Sequence, residues 1–234
     1  MNRHQARELA FSLLFEHEFD KEREGAELYD TAIVMPDGEN HFYVDAQNRH
    51  DDYSRFVGEE LVEFTRAMFP LSHKREDTAI GGISMGGYGS LYNGMKYSDT
   101  FGHIVAISPA NIIHELKYSS EEPNNVGASR GYYEGVFGDL EKANDSELNL
   151  RILASRLKAE GKQFPHIYLA CGWNDMLFPP NKEFHEHLES LGVDHVWREG
   201  PGSHLKDFFY PHLKEGVAGF APALPERPNP FWVD

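Results

Sequence analysis

Cysteine is almost missing from this chain: Cys171 is alone among 234 residues, so no internal disulfide can form and the redox compartment is left open. The thiol ends the apolar run Ile167-Tyr168-Leu169-Ala170-Cys171, which predicts a buried, inert side chain. Positive charge is scarce as well. Lys and Arg number 22 against 38 Asp and Glu, a formal net charge of −16, and that balance argues against nucleic acid or an anionic membrane as partner. Long hydrophobic runs are absent, which excludes a membrane-spanning helix. Residues 1–20 interrupt their apolar positions with Glu8, Glu16, Glu18 and Asp20, where a secretory signal would have none, so the cytoplasm is the expected location. No metal-ligand motif is present, and no metal or other cofactor is expected.

What the chain does have is an alternation of apolar runs and amphipathic stretches, and its 40% hydrophobic content suits a globular α/β domain. Ala6, Leu9, Ala10, Leu13 and Leu14 fall at helical spacing and predict an amphipathic helix within a segment of residues 1–28. Thr31-Ala32-Ile33-Val34-Met35 reads as a buried strand, ended by the turn residues Pro36-Asp37-Gly38. Further strands are expected at 77–83, 102–107, 166–171 and 194–198, and helices at 54–69, 87–95, 146–160, 181–191 and 207–217. Such alternation builds a doubly wound, mainly parallel sheet, here of about five strands within residues 29–220. Residues 110–140, rich in Asn, Ser, Gly and Tyr, read as an irregular excursion that walls a pocket at the sheet edge. Pro222, Pro225, Pro228 and Pro230 predict an extended tail over 221–234.

Chemistry concentrates at Gly82-Ile83-Ser84-Met85-Gly86, with the expected strand before it and the small-residue helix Gly87-Tyr88-Gly89-Ser90 after it. A strand, a tight turn with serine at its apex and then a helix is the nucleophile elbow of α/β-hydrolases. Glycines two positions to either side keep strand and helix from colliding, and the turn aims the Met85 N–H at the place where an oxyanion forms. A serine hydroxyl needs a base, and the base needs an orienting carboxylate. Asp175 in Gly172-Trp173-Asn174-Asp175 lies just past the fourth strand, and His204 in Gly200-Pro201-Gly202-Ser203-His204 just past the fifth. Both therefore sit at the carboxyl edge of the sheet with Ser84, in the order serine, acid, histidine. The rivals are badly placed: His195 is inside a strand, His103 is near the start of one, and His185 and His187 are two apart on a helix. Asp194 and Asp207 are the fallback acids. Trp173, Phe178 and the Tyr132-Tyr133 pair are the candidates for lining an acyl or aryl pocket, with simple packing as the other reading.

Val34-Met35-Pro36-Asp37-Gly38, His41-Phe42-Tyr43-Val44-Asp45, Gly82-Ile83-Ser84-Met85-Gly86-Gly87-Tyr88-Gly89, Gly135-Val136-Phe137-Gly138 and Cys171-Gly172-Trp173-Asn174-Asp175 together resemble the esterase D-like α/β-hydrolases. Tributyrin and acetyl esterases, feruloyl esterases and S-formylglutathione hydrolases belong to that group. The resemblance runs from Glu27 to Val217 and implies a serine esterase acting on short acyl esters, with Ser84, Asp175 and His204 as the triad. An acetylated or feruloylated carbohydrate is the alternative substrate. The departures are at the front, where the family's N-terminal strands and its His-Gly oxyanion loop have no counterpart. Residues 1–25 resemble instead the opening helix of the transcription-antitermination factor N-utilisation substance B. A truncated or fused reading frame is therefore one expectation, and a sheet edge left open or completed by a strand from a second copy, a homo-oligomer, is another. With one oxyanion donor missing, a non-catalytic binding protein built on the same architecture is the competing function.

Overall fold

The computed structural model describes residues 32–46, 51–124 and 128–220. The expected N-terminal helix and the Pro-rich tail lie outside these residues. By its internal contacts the chain divides into residues 38–216 and a second unit of residues 1–37 with 217–234.

In residues 38–216 a two-residue antiparallel pair, β1 (Asp45–Ala46) with β2 (Asp51–Asp52), comes first. Tyr53–Arg55, a π turn at Phe56–Glu60, and Leu61–Met68 run on as one helix, α1. Next in chain order is a four-stranded parallel sheet: β3 (Ala79–Ile83), β4 (His103–Ile107), β5 (His166–Gly172) and β6 (His195–Gly200). Between and after the strands come α2 (Met85–Lys96), α3 (Arg130–Phe137), α4 (Leu140–Asn144), α5 (Leu150–Ala159), α6 (Phe178–Ser190) and α7 (Lys206–Ala218).

Both faces of the sheet carry helices, because side chains alternate along each strand. Ile104 pairs with Ile167 and Val105 with Tyr168 in register, so each pair shares a face. A Cβ on Gly94 of α2 would collide with Ile104, which sets α2 on the first face at a distance only glycine permits. A Cβ on Gly216 of α7 would meet Val105 and Tyr168, which sets α7 on the second. α5 packs against α2, and α6 against α5 and β5, so the core fills the first face. Its centre holds Tyr88, Leu91, Met95, Ile104, Leu169 and Phe184, all fully buried. The buried Tyr88 hydroxyl donates to Leu148 O at 2.7 Å, and desolvation pushes its pKa far above the ordinary phenol value.

Two expectations are corrected. Residues 32–38 form no strand, and Ile33 and Met35 are 47% and 51% exposed. An apolar run becomes a strand only through a ladder; among the described residues the sheet has four strands, with β3 at one edge. The excursion expected over 110–140 is instead partly helical. Ser129 caps α3 by accepting from Tyr132 N, and Asp139 caps α4 by accepting from Glu141 N and Lys142 N. Tyr133, Val136, Phe137 and Leu140, at helical spacing, carry that region into the core.

Candidate active site

Ser84 ends β3 and caps α2 with φ 57° and ψ −115°, in the left-handed region that a residue with a Cβ rarely adopts. The turn is held from three sides: Ser84 N donates to Ile107 O at 2.9 Å, while Ser84 O accepts from Tyr88 N at 3.0 Å and Ala110 N at 2.8 Å. The two motif glycines prove unequal. A Cβ on Gly82 would lie 2.5 Å from the Gly86 carbonyl, whereas a Cβ on Gly86 would meet nothing within 4 Å. Only Gly82 is sterically obligatory. Met85 opens α2, so its N–H is one of the first-turn donors that an α-helix leaves without an intrahelical acceptor.

The other two groups arrive from the loops after β5 and β6. His204 Nε2 lies 2.9 Å from Ser84 Oγ, and His204 Nδ1 lies 2.8 Å from Asp175 Oδ2. A carboxylate can only accept, so Nδ1–H donates to Asp175 and Nε2 is left to accept from the serine. Asp175 is 4% exposed, and its Oδ1 accepts from Leu177 N at 2.9 Å. Burial works to raise its pKa, but the hydrogen bonds from His204 and Leu177 N–H outweigh it and hold the carboxyl below the ordinary value. Phe209 packs edge-on to the imidazole, with ring centroids 4.9 Å apart. The two loops are joined backbone to backbone: Trp173 N donates to Gly200 O and Asn174 N to Gly202 O, each at 2.8 Å.

The family model for esterases matches residues 17–220 of this chain. The chain is 42% identical over 185 residues to an acetyl esterase of Caldicellulosiruptor saccharolyticus, covering 79% of this chain and 70% of the relative. Two solved structures from Staphylococcus aureus, the fluorophosphonate-binding serine hydrolase FphF and the S-formylglutathione hydrolase FrmB, superpose with TM-scores of 0.70 and 0.68. Each is 27% identical, and each match covers 80% of this chain and 70% of the other. The chain belongs to the esterase family. It is a carboxylic ester hydrolase of α/β-hydrolase fold, and small-molecule esters are its substrates.

Beside the histidine and the acid, this esterase opens a cavity of about 530 Å³ lined by Trp173, Asn174, Asp175, Met176, Ser203, His204 and Leu205. Of the four side chains expected to line a pocket, Trp173 is there. The other three are used elsewhere: Phe178 packs on Trp197 with centroids 6.2 Å apart, Tyr133 is buried in the core, and the Tyr132 hydroxyl donates to Asn40 O at 2.8 Å. The rival histidines are engaged away from Ser84. His185 bonds His195 at 2.8 Å, His103 stacks on His166 at the amino edge of the sheet, and His187 bonds Ser155 at 2.9 Å. Asp194 and Asp207 are exposed. Cys171 is buried, and desolvation pushes its thiol up to about 12, so it stays protonated. Among the described residues no helix is long and apolar enough to cross a membrane, and no three His, Cys, Asp or Glu cluster to hold a metal.

Met176, Leu205, Phe209 and Ser108 are site neighbours that no sequence motif marks. Met176 and Leu205 adjoin Asp175 and His204 in the chain, so proximity in sequence was a usable signal, while Phe209 comes from the helix that follows, α7. Ser108 had a subtler one: it comes directly after β4, at the same edge.

Proposed function

We propose that Ser84 is the nucleophile of a serine esterase, with His204 as general base and acid and Asp175 as the group that orients it. The reading rests on one observation, the continuous chain Ser84 Oγ, His204 Nε2, His204 Nδ1, Asp175 Oδ2 with links of 2.9 and 2.8 Å. Ser84 Oγ attacks the acyl carbon while its proton passes to Nε2. The imidazolium is stabilised by the ionised, buried Asp175, and the Met85 N–H takes part of the oxyanion charge. Collapse of the tetrahedral intermediate releases the alcohol, which takes the proton from Nε2. Water, deprotonated by the same nitrogen, then hydrolyses the acyl-enzyme and restores Ser84.

Short acyl esters, acetyl above all, are the proposed substrates, on the strength of the similarity to an acetyl esterase. Esters of acetylated or feruloylated carbohydrate are the second choice. The test is hydrolysis of p-nitrophenyl acetate and butyrate beside octanoyl and feruloyl esters, with Ser84→Ala as control. Equal rates for parent and variant would end the proposal. A fluorophosphonate probe reads the nucleophile directly, and labelling of Ser84 must vanish in His204→Ala.

A further inference from the structure

A second serine stands one strand away from the nucleophile. Ser108 comes directly after β4, the strand between that of Ser84 and that leading to Asp175. Its backbone N–H donates to Ala170 O at 2.7 Å, which pins it against the end of β5. Its φ is 43°, again in the left-handed region that a residue with a Cβ rarely adopts. The residue is fully buried, and among the described residues its Oγ has no well-aligned hydrogen-bond partner. A buried hydroxyl left unpaired is costly, so native structures seldom keep one without a use.

The surroundings supply the use. Ser108 is tied to β5 at Ala170, the residue before Cys171, and the turn that carries Asp175 folds back on the same strand end, Asp175 N donating to Gly172 O at 3.0 Å, so the Ser108 side chain lies close enough to the Asp175 carboxyl and the Cys171 thiol to influence both. The thiol is a weak and neutral partner; the carboxylate is ionised, with its side chain wholly inaccessible to solvent. Asp175 has one oxygen on His204 and the other on Leu177 N–H, and two carboxylate oxygens offer about four acceptor directions. Room for a third donor remains. Just behind it, Asn181 Nδ2 holds Pro109 O at 2.8 Å, which fixes the corner that carries Ser108.

We infer that Ser108 is a positioning residue: its hydroxyl donates to the Asp175 carboxylate from the end of β4 and so steadies the acid that orients His204. This rests on the triad proposed for the esterase. The titratable groups that face Asp175 are His204, from the loop after β6, and Cys171, from β5, and the thiol stays neutral throughout the working range. Removing a donor from the carboxylate makes the Asp175–His204 pair hold its proton more tightly, whichever of the two carries it. The acid limb of kcat/KM therefore moves up in pH. A hydrogen bond to a charged group is worth a shift of about one pH unit, with a fall of roughly tenfold in kcat/KM on the acid side and little change in KM.

The test uses Ser108→Ala, Ser108→Gly and Ser108→Cys in the full chain. Alanine removes the hydroxyl and keeps the backbone strain; glycine removes both; cysteine restores a weak donor. Two readouts are taken together: the pH profile of kcat/KM, and the titration midpoint of the His204 imidazole by NMR. The inference expects both midpoints to rise alike in the alanine and glycine variants, and less in the cysteine variant, while melting temperature tracks backbone strain instead. Unchanged midpoints in folded Ser108→Ala would overturn it. So would a shift in alanine that glycine abolishes, since that would trace to strain. If the parent shows no Ser84-dependent hydrolysis, the esterase mechanism fails by itself, and the NMR midpoint still decides on Ser108.

Discussion

Ser84 and Ser108 close neighbouring parallel strands with the same kind of backbone corner, φ 57° and 43°, and each donates its N–H to the next strand. Their fates diverge at the very next residues. After Ser84 comes α2, so the corner opens onto free N–H groups of a helix N-terminus, with the imidazole 2.9 Å from the hydroxyl. After Ser108 comes Pro109, and the hydroxyl is sealed inside. A strained corner aims a side chain but does not make it a nucleophile. Access, a base and donors for the developing charge do that.

The sharpest way to break this comparison is to empty each corner in turn. Ser84→Ala should lose about 10⁴-fold or more of the hydrolysis of p-nitrophenyl acetate, while Ser108→Ala keeps most of it at pH values above the acid limb; comparable losses there would show that the corners are not functionally distinct. Asp175→Asn should cost on the order of 10³–10⁴ in kcat with the fold intact, because the amide favours the wrong imidazole tautomer. A loss within tenfold would remove Asp175 from the proposed mechanism.

A smaller effect, on stability, tests how the first corner is built. Gly82→Ala places a methyl 2.5 Å from the Gly86 carbonyl and should destabilise by roughly 3 kcal/mol or more, seen as a lower urea midpoint. Gly86→Ala points into open space and should stay within about 1 kcal/mol of the parent. Equal midpoints would contradict the geometry of the turn. The smallest effect is in acid. The Asp175 pKa is lowered in the folded chain, so its contribution is complete above the unfolded value of about 4 and is lost as pH falls through the lower folded value. The stability gap between the parent and Asp175→Asn should therefore narrow below about pH 4 in thermal melts.

The sequence made the site edge readable because the edge is assembled from strand ends. Ser84, Asp175 and His204 each come within a few residues of a strand's carboxyl end, and the geometry brings them together. Less was legible where identity depends on a partner. The run at 32–35 has the composition of a strand, and nothing local to it tells whether a neighbouring ladder exists. Within 110–140 the signal was present but diluted: Gly131, Gly135 and Gly138 interrupt the pattern, while Ser129 and Asp139 mark the helix starts and Tyr133, Val136, Phe137 and Leu140 mark the buried stripe. Gly86 misled for another reason. Motif spacing makes the two glycines look equivalent, and only the direction of each missing Cβ separates them.

The backbone seam between the loops after β5 and β6 bears on how this site can change over generations. A Cβ on Gly172 would strike the Gly202 carbonyl, and Trp173 and Asn174 donate across the same seam. Acid and histidine thus travel as one piece, and lengthening either loop alone would part them. Variation that retunes the substrate has to enter elsewhere than in either of these two loops alone.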